Sequence, residues 1–414
     1  MTAPASLPRL SQSPTDPGFV QDPYGFYARA RAAGPLVLWE DYGLPFAVTH
    51  AAVDALFRDR RLGREIPPEA RAPVPDHLAD FYAIEAHSML ELEPPRHTRL
   101  RGLVLRAFTS RRIRALGPEI AALATRLAAA LPEGEVDLLP AFCQQLPVIV
   151  IARLLGVPES MAGQLLRWSN AMVAMYQAGR SRATEEAAAA AAGDFAAFLR
   201  GYIAERRARP ADDLITHLIA AEAEGQRLSA DELISTCVLL LNAGHEATVH
   251  SLGNAVKALL EWEGEVGRSP LDRPKLSAAL AEGAVAGTVE EVLRFDPPLH
   301  HFTRQVYEEV EVGGHRLRPG QEVGLLLASA GRDPALCPDP DRFDPFRPVA
   351  AHLAFGAGLH FCVGAPLARL EMQIALPILF ARRPGLRLAR PPRYADSYHF
   401  HGLAALPVLP GPGG

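Results

Sequence analysis

Cysteine is scarce in this sequence, and its four cysteines follow none of the spacings that indicate a disulfide framework or a zinc site. Basic residues are not in excess, because 42 Lys and Arg stand against 47 Asp and Glu, so no basic footprint for nucleic acid is present. No uncharged apolar run approaches the roughly 20 residues that span a bilayer. The Pro- and Ser-rich segment 1–20 also lacks the apolar core of a signal peptide. We therefore expect a cytoplasmic protein in a reducing compartment that binds neither membrane nor nucleic acid.

The chain also lacks a Gly/Ser-rich linker or low-complexity tract that would divide its 414 residues into independent units. Its hydrophobic fraction of 49% suffices for a large core. We expect a flexible N-terminal segment over residues 1–20 and a single domain over residues 21–414.

Local patterns predict short helices and strands near the N-terminus, followed by a long helical region. The expected elements are helices over 24–33 and 51–58, strands over 37–39 and 46–49, an irregular Pro-rich loop over 63–95, a helical region over 118–209 with breaks near Gly134, Pro147, 156–158 and Gly179, and a hairpin over 310–327.

A single cysteine is displayed in a glycine-rich loop directly before a predicted helix. The loop, residues 355–364, reads Phe-Gly-Ala-Gly-Leu-His-Phe-Cys-Val-Gly. Glycine lets a flat ligand approach the main chain closely, and the amide groups that begin the helix over 365–380 would favour the thiolate of Cys362. The pattern therefore indicates a sulfur held against a large ligand. The alternative is that Cys362 is a small buried hydrophobic residue.

Two hydrogen-bond donors share one face of a helix that the sequence predicts after Pro94 and Pro95. His97 and Arg101 are four residues apart, which places them on the same helix face. An imidazole and a guanidinium in that arrangement suit a carboxylate, although the spacing also fits a solvated basic surface. Further positive charge nearby suits either an acidic electron-transfer partner or solvent; it comes from Arg99, Arg106, Arg111, Arg112 and Arg114.

An acidic residue interrupts the apolar middle of the longest predicted helix. The capping-box pattern Ser229-Ala230-Asp231-Glu232 starts this helix, which continues to about Trp262 and would be roughly 50 Å long. Its middle is apolar on nearly every side before Gly244 and is expected to be buried. Glycine costs about 1 kcal/mol relative to alanine in a helix interior, which predicts a close contact at Gly244. Glu246 is then either a proton-carrying acid or a structural residue with satisfied hydrogen bonds.

Taken in chain order, these segments resemble motifs of the cytochrome P450 family, and the resemblance extends over essentially the whole chain after residue 20. The loop 355–364 is similar to the family's haem-binding signature, Phe-Gly-x-Gly-x-His-x-Cys-x-Gly, which makes Cys362 the expected axial iron ligand. The resemblance implies a mainly α fold with a small β-rich portion, in which haem b lies between the long central helix and the Cys-bearing loop. It assigns the haem contacts to His97, Arg101, Ala243, Gly244, Arg304, Phe355, Gly356, His360, Cys362 and Gly364.

The middle of the long helix resembles the family's oxygen-activation motif, Ala/Gly-Gly-x-Asp/Glu-Thr-Thr/Ser, in which the acid and the first alcohol relay protons. Glu246 matches the acid, but Ala247 replaces the expected threonine. Thr248 lies about 100° further around the helix and would bond the carbonyl of Gly244 instead. We therefore hypothesise that a substrate hydroxyl or a trapped water completes the relay beside Glu246.

A second family motif, Glu-x-x-Arg, matches Glu291 and Arg294, which are three residues apart on one predicted helix face. In the family this is a buried structural pair that a later arginine usually joins. Arg347 is the candidate for that third member, and Arg342 is the alternative. The implied role is folding around haem.

Pocket residues follow from the resemblance alone. In a strand expected over 299–306, His300 and His301 point to opposite faces, which argues against joint metal binding. The stripe containing Met172 and Met175 is more often core than ligand wall. The substrate-pocket candidates are Met172, Met175, Leu240, Leu299, His300 and Phe400.

The resemblance implies a monooxygenase that uses O2 to hydroxylate or otherwise oxidise a small hydrophobic organic substrate. No flavin or iron–sulfur segment is recognisable in the chain, so a separate ferredoxin and its reductase are the expected electron donors. Two alternatives stay open. One is a peroxide-driven haem enzyme, against which the acid Glu246 argues, and the other is a non-catalytic haem sensor or ligand-binding protein.

Overall fold

The architecture is mostly helical, as the sequence predicts, and helices make up its largest core. The computed structural model of the chain describes residues 6–177, 179–221, 225–264, 274–349, 351–396 and 400–413. Within them the α-helices are α1 (Pro17–Gln21), α2 (Tyr24–Ala33), α3 (His50–Arg58), α4 (Ala79–Glu85), α5 (Arg96–Ala107), α6 (Ser110–Ala115), α7 (Gly117–Ala129), α8 (Gln145–Leu155), α9 (Ala162–Val173), α10 (Arg182–Ala208), α11 (Leu214–Ala220), α12 (Ala230–Gly264), α13 (Pro274–Ala279), α14 (Val285–Phe295), α15 (Leu327–Gly331) and α16 (Ala365–Arg382).

The β-rich portion consists of one larger sheet and three small ones. The larger sheet has the strand order β1-β2-β3-β9-β6-β4, with parallel pairing between β1 and β2 and between β3 and β9. The strands are β1 (Arg9–Leu10), β2 (Leu36–Trp39), β3 (Leu44–Ala47), β4 (Leu62–Gly63), β5 (Val136–Asp137), β6 (His301–Val306), β7 (Val310–Val312), β8 (His315–Leu317), β9 (Glu322–Leu326), β10 (Arg387–Leu388), β11 (Arg393–Tyr394), β12 (Leu403–Ala405) and β13 (Pro407–Leu409).

The long helix α12 is the central element of the helical region. Its predicted capping box is confirmed, because the Ser229 hydroxyl accepts from the Glu232 amide at 3.1 Å and the Glu232 carboxylate accepts from the Ser229 amide at 2.9 Å. α12 is 35 residues long and packs against α8, α14 and α16. Within the described ranges, no helix combines the length and the apolar character that crossing a membrane requires.

Three clusters of buried side chains hold these layers together. The largest joins α5, α7–α12, α14 and α16. The other two cover opposite faces of the larger sheet, one including Val53 and Phe57 of α3 and the other including Phe19 and Trp39. Because α3 is packed on the sheet by its apolar face, its last turn is fixed beside the loop that contains Cys362.

Most local predictions are confirmed, and two are wrong. α2, α3 and the β7–β8 hairpin form where the patterns indicate, and Gly313 and Gly314 supply the turn with positive φ angles of 58° and 80°. Pro147 does not break the helical region, because it lies in the first turn of α8, where a missing N–H costs little. The loop 63–95 is not wholly irregular, since it contains α4.

Candidate active site

The loop of residues 355–364, which we call the cysteine loop, is shaped by two glycines. Gly356 and Gly358 have φ angles of +67° and +68°, in the left-handed region that favours glycine. A Cβ at Gly358 would lie 2.4 Å from the carbonyl oxygen of Phe57, so the loop packs directly on the end of α3. The Cys362 amide donates to the Phe355 carbonyl at 3.1 Å and closes the loop. Cys362 is thereby presented three residues before the first residue of α16.

The surroundings of Cys362 have opposing effects on the pKa of its thiol. Burial raises the pKa of the Cys362 thiol, whereas the amides of Gly364 and Ala365 and the positive charges of Arg101 and Arg369 act to lower it. Burial outweighs these effects, and the net pKa of the thiol is raised. The amides at the start of α16 nevertheless favour the thiolate, as expected, and the nearby positive charges add to that effect, which suits a metal-bound thiolate.

Beside the cysteine loop, α5 supplies an imidazole and a guanidinium. The rings of His97 and His360 lie 4.4 Å apart between centroids, and His360 Nε2 donates to Glu93 Oε1 at 2.9 Å. His97 is buried, and its Nδ1 has no hydrogen-bond partner among the described residues. Arg101 donates to the carbonyl of Phe361 at 2.6 Å. Burial, followed by repulsion from protonated His360 and from Arg101, lowers the pKa of His97 to about 4.

The guanidinium of Arg304 on β6 is buried without an acidic partner in the described part of the chain. It is 5% exposed, donates to the carbonyl of Thr303 at 2.8 Å and lies 5.0 Å from the ring centroid of Phe57. Burial, with repulsion from Arg64, lowers the pKa of Arg304 to about 10. The carbonyl of Phe57 also contacts the cysteine loop, so Arg304 and the cysteine loop both lie against Phe57.

The donors of this neighbourhood fit the carboxylates of a large anionic cofactor. A buried cation is costly unless an anion pairs with it, and a buried imidazole nitrogen is costly unless it is hydrogen-bonded. His97, with an orphan nitrogen, and Arg304, without an ion pair among the described residues, both meet that description. Two propionate groups would satisfy them, and the residues present therefore fit haem.

The middle of α12 has an open face, which the sequence did not predict. Ala243 is exposed, and Asn242, Gly244 and Ala247 are half-buried, although this helix is buried along most of its length. The predicted close contact at Gly244 is also missing among the described residues, because a Cβ there would lie at an ordinary 3.5 Å from Ile151. Small residues on an open helix face leave room for a flat group.

The acid of α12 lies between two imidazoles. His250 Nε2 donates to Glu246 Oε1 at 3.2 Å, and His245 Nδ1 lies 3.5 Å from Glu246 Oε2. Burial opposes ionisation of Glu246, but the hydrogen bond from His250, followed by electrostatic interaction with His250 and His245, outweighs it and lowers the pKa of the carboxyl. Glu246 is therefore an ionised group at neutral pH.

The neighbouring hydroxyl groups donate hydrogen bonds to backbone carbonyls. Thr248 Oγ1 donates to the Gly244 carbonyl at 3.2 Å, as predicted, and Ser251 Oγ donates to the Ala247 carbonyl at 2.8 Å. Neither hydroxyl reaches Glu246. Sequence reasoning missed His250 altogether, although its position four residues after Glu246 was the signal that could have found it.

The predicted charge cluster of α14 forms a buried three-membered network. Glu291 accepts two hydrogen bonds from Arg294, at 2.7 and 2.8 Å, and one from Arg347 at 3.2 Å. Arg347 rather than Arg342 supplies the second guanidinium, while Arg342 contributes its carbonyl oxygen. The network fastens α14 to the segment that leads to the cysteine loop.

The pocket candidates divide into core residues and residues of a terminal bridge. Met172, Met175 and Leu240 belong to the largest core cluster. Leu299 and Phe400 are joined by an antiparallel backbone bridge, so the segment near the C-terminus lies beside the start of β6. Asn242 Nδ2 lies 3.7 Å from Met172 Sδ, which links α9 to the open part of α12.

The structure places His300 in a buried polar network. Its Nδ1 lies 2.8 Å from the Tyr27 hydroxyl, and its ring centroid is 4.3 Å from that of His401, which donates to Asp296 at 2.9 Å. His300 is fully buried there, and its assignment to the substrate pocket stays a prediction. Ligand atoms of His300, His401 and Asp296 lie within 4.8 Å of one another, but both Asp296 oxygens already accept hydrogen bonds. These come from His401, from Tyr24 at 2.7 Å and from Tyr394 at 2.5 Å.

The sequence of the chain is similar to those of known proteins. The family model described as Cytochrome P450 matches residues 285–382. Cytochrome P450 107B1 of Saccharopolyspora erythraea is 38% identical over 411 residues, covering 96% of this chain and 97% of the relative. Cytochrome P450 monooxygenase PikC of Streptomyces venezuelae is 36% identical, covering 98% of this chain and 95% of the relative. Vitamin D(3) 25-hydroxylase of Pseudonocardia autotrophica is 38% identical, covering 95% of each chain.

Solved structures show the same architecture. The chain is similar to P450BioI, solved in complex with an acyl carrier protein carrying hexadec-9Z-enoic acid, with a TM-score of 0.86 and 31% identity. That similarity covers 95% of this chain and 98% of P450BioI. It is also similar to CalO2, with a TM-score of 0.85, 31% identity and coverage of 96% and 98%.

Proposed function

The chain belongs to the cytochrome P450 family of haem-thiolate monooxygenases, and we propose that it uses O2 to hydroxylate or otherwise oxidise a small hydrophobic organic substrate. Three observations together carry the proposal: the displayed cysteine, the buried Arg304 and His97 that lack an ion pair or a hydrogen-bond partner among the described residues, and the open, small-residue face of α12. α12 packs against α16, the helix that follows the cysteine loop. A flat cofactor between the two would be held from both sides.

We propose that Cys362 would bind the haem iron through its thiolate and that His97, Arg101, Arg304 and His360 would hold the propionates of haem b. Haem bound to a thiolate supplies the oxidising power for inserting an oxygen atom into a C–H bond. The chain's own residues do the rest. Ala243 and Gly244 leave space for the macrocycle, Phe355 closes the cysteine loop, and Glu246 carries a proton at its carboxylate. Residues 21–414 would form one haem-thiolate domain.

A separate ferredoxin is the electron donor that the surface charge supports best. Leu105 and Phe361 are exposed apolar side chains on α5 and in the cysteine loop, at 45% and 39% exposure. Of the five arginines nearby, two pair within the chain, Arg99 with Glu232 and Arg112 with Asp212. The remaining three are exposed and available to an acidic partner: Arg106, Arg111 and Arg114. Reversing the charge at Arg111 is expected to raise the KM for ferredoxin and to leave the KM for substrate unchanged.

The substrate is a hydrophobic molecule of the size that family pockets accept. PikC and vitamin D(3) 25-hydroxylase are relatives, and a cytochrome P450 of Bacillus megaterium with a TM-score of 0.80 and 28% identity was solved with testosterone. Vitamin D3, testosterone and hexadec-9Z-enoic acid are therefore the first compounds to screen by the shift in haem spin state. We propose that Leu299, Phe400, Met172, Met175 and Leu240 form apolar walls of the pocket.

The deciding measurement is the absorption spectrum of the dithionite-reduced protein with carbon monoxide. A strongly red-shifted Soret band is expected from a thiolate at Cys362. Cys362→Ser should lose that band, whereas Cys337→Ser, which alters a buried cysteine outside the loop, should keep it. A band typical of histidine or thiol ligation in freshly purified protein would overturn the proposal.

Turnover then separates the monooxygenase from its two alternatives. With NADPH, ferredoxin and ferredoxin reductase, a substrate that shifts the spin state should yield an oxygenated product. Peroxide-supported turnover that far exceeds ferredoxin-supported turnover would favour a peroxide-driven enzyme. Absence of product from every compound that shifts the spin state would favour a haem sensor.

A further inference from the structure

Glu246 has a proton-carrying neighbour that is not part of the family motif. The alcohol expected next to it is replaced by Ala247, and the hydroxyls of Thr248 and Ser251 are bound to backbone carbonyls. The only titratable side chains that influence Glu246 among the described residues are His245 and His250. An ionised Glu246 must regain a proton before it can give one, and these two imidazoles are the titratable groups that lie against its carboxylate.

We infer that His250 is the donor that reprotonates Glu246, an inference that rests on the proposed function. In this step the Nε2–H bond of a protonated His250 breaks and an O–H bond forms at Glu246 Oε1. The imidazolium becomes neutral and the carboxylate becomes a carboxylic acid, with no change in oxidation state. His250 regains its proton from solvent water, to which its side chain is 15% exposed.

His250 is better placed for this role than His245. His245 is 1% exposed, and burial lowers its pKa to about 4, so it is neutral at physiological pH and cut off from solvent. His250 makes the shorter contact, 3.2 Å against 3.5 Å. It also lies on the solvent-connected side of the pair.

The segment near the C-terminus fixes the orientation of the His250 ring. A Cβ at Gly402 would lie only 1.8 Å from His250 Nδ1, so glycine alone permits this close approach. Phe400 packs on the same ring at 5.6 Å between centroids. The segment is held in turn by Asn254, whose Nδ2 donates to the His401 carbonyl at 3.0 Å. With Nδ1 against Gly402, Nε2 is directed at Glu246. In the described part of the chain, the groups near His250 are the titratable Glu246 and His245 and the uncharged Phe400 and Gly402.

His250→Gln tests the inference, because glutamine keeps an N–H donor but cannot transfer a proton at neutral pH. We expect the fraction of electrons recovered in product to fall about tenfold, with the balance appearing as peroxide. In the parent protein that fraction should fall as pH rises, whereas in the variant it should not depend on pH. Lys257→Gln is the matched control, because Lys257 pairs with Glu261 at the same i,i+4 spacing on α12.

Infrared spectroscopy supplies a readout that needs no turnover. The carboxyl band of Glu246, assigned by its loss in Glu246→Gln, should appear at a pH higher by roughly one unit in His250→Gln, because a positive neighbour has been removed. If His250→Gln does not fold, Gly402→Ala provides the second variant, since it displaces the ring and should lower coupling in the same way.

An unchanged product fraction with an unchanged pH profile in His250→Gln would overturn the inference. That result leaves the proposed function intact, because product is still made. If instead the parent protein oxygenates none of the compounds that shift the spin state, the proposed function itself is contradicted.

Discussion

Ala247 places a methyl group where the family motif has an alcohol, and its effect can be tested by restoring the hydroxyl. In Ala247→Thr the new alcohol would lie beside Glu246 and replace the hydroxyl that we propose substrate or water supplies. With a substrate that has no hydroxyl group, we expect the fraction of electrons recovered in product to rise several-fold. The measurement is product formed per NADPH consumed.

Thr248→Val is the control, because it removes a hydroxyl that is already bound to the Gly244 carbonyl. It should change coupling little. Unchanged coupling in Ala247→Thr with substrate bound would mean that position 247 has no part in the relay.

Glu291 is a second residue whose loss has a calculable effect. In Glu291→Gln the guanidiniums of Arg294 and Arg347 lose their carboxylate while Arg294 stays buried at 1% exposure. Leaving a buried charge unpaired costs about 3–5 kcal/mol in the free energy of unfolding. Urea titration followed by circular dichroism would measure it.

The comparison variant is Glu261→Gln, which breaks the partly exposed pair with Lys257. It should cost at most about 1 kcal/mol. Equal losses in the two variants would show that the α14 network contributes no more than a surface pair.

At the scale of single residues, sequence reasoning identifies groups that a motif names and misses groups that only geometry brings together. The pairing of Glu291 with Arg294 follows from their spacing. The hydrogen bond between His250 and Glu246 also follows from spacing, but nothing in the motif marks His250. The burial of His300 depends on Tyr27, some 270 residues away, and no local pattern contains that contact.

Among the elements, the cysteine loop is sensitive to a single added methyl group. Gly358→Ala puts a methyl group 2.4 Å from the backbone oxygen of Phe57 and also strains a φ angle of +68°. The backbone strain costs about 1–2 kcal/mol, and the overlap adds about 1–3 kcal/mol because backbone cannot swing away. We expect lower thermal stability and a lower haem content in the purified protein.

Gly43→Ala separates the two causes. Gly43 has a φ angle of +66°, but a Cβ there would meet nothing within 4 Å. It should show the backbone strain alone. If the two variants were equally stable, the contact between the loop and α3 would not be tight.

Helices could be predicted well because their signals are local, and sheet pairing could not. The capping box at Ser229 and the helical period fix α12 from neighbouring residues. Pro147 leads to a wrong prediction because proline breaks a helix in its interior but is tolerated in its first turn. Where the helix begins decides between the two effects. The pairing of β3 with β9 has no local signal, since neither strand's sequence specifies its partner.

Across the whole molecule, buried histidines make stability depend on pH. The pKa of His245 is about 4 in the folded chain because of burial, against about 6.5 when unfolded. Between these values the unfolded chain binds more protons, so the free energy of unfolding falls as pH is lowered from about 6.5 to 4. The slope from this one group is at most about 1.4 kcal/mol per pH unit.

In His245→Leu the free energy of unfolding should fall less steeply as pH is lowered than in the parent, by at most about 1.4 kcal/mol per pH unit. Urea unfolding at pH 7, 6 and 5 would measure this difference. Glu85 acts in the opposite direction, because burial raises its pKa to about 7 and its contribution is lost as pH rises. Glu85 contributes equally to the free energy of unfolding of the variant and of the parent, so its contribution cancels when one is subtracted from the other. A difference that does not change with pH would mean that His245 is protonated in the folded protein.

The parallel pairing of β3 with β9 sets the order in which this protein can be completed during synthesis. Phe46 lies opposite Gly324, with roughly 280 residues between them. At about 5–20 residues per second, the ribosome needs on the order of 15–60 s to make that interval. Throughout it, the β2–β3 hairpin presents an unpaired strand edge, which is a template for aggregation. The first hairpin to emerge is therefore among the last to be finished, and a delay at the ribosome prolongs the time that chaperones must protect it.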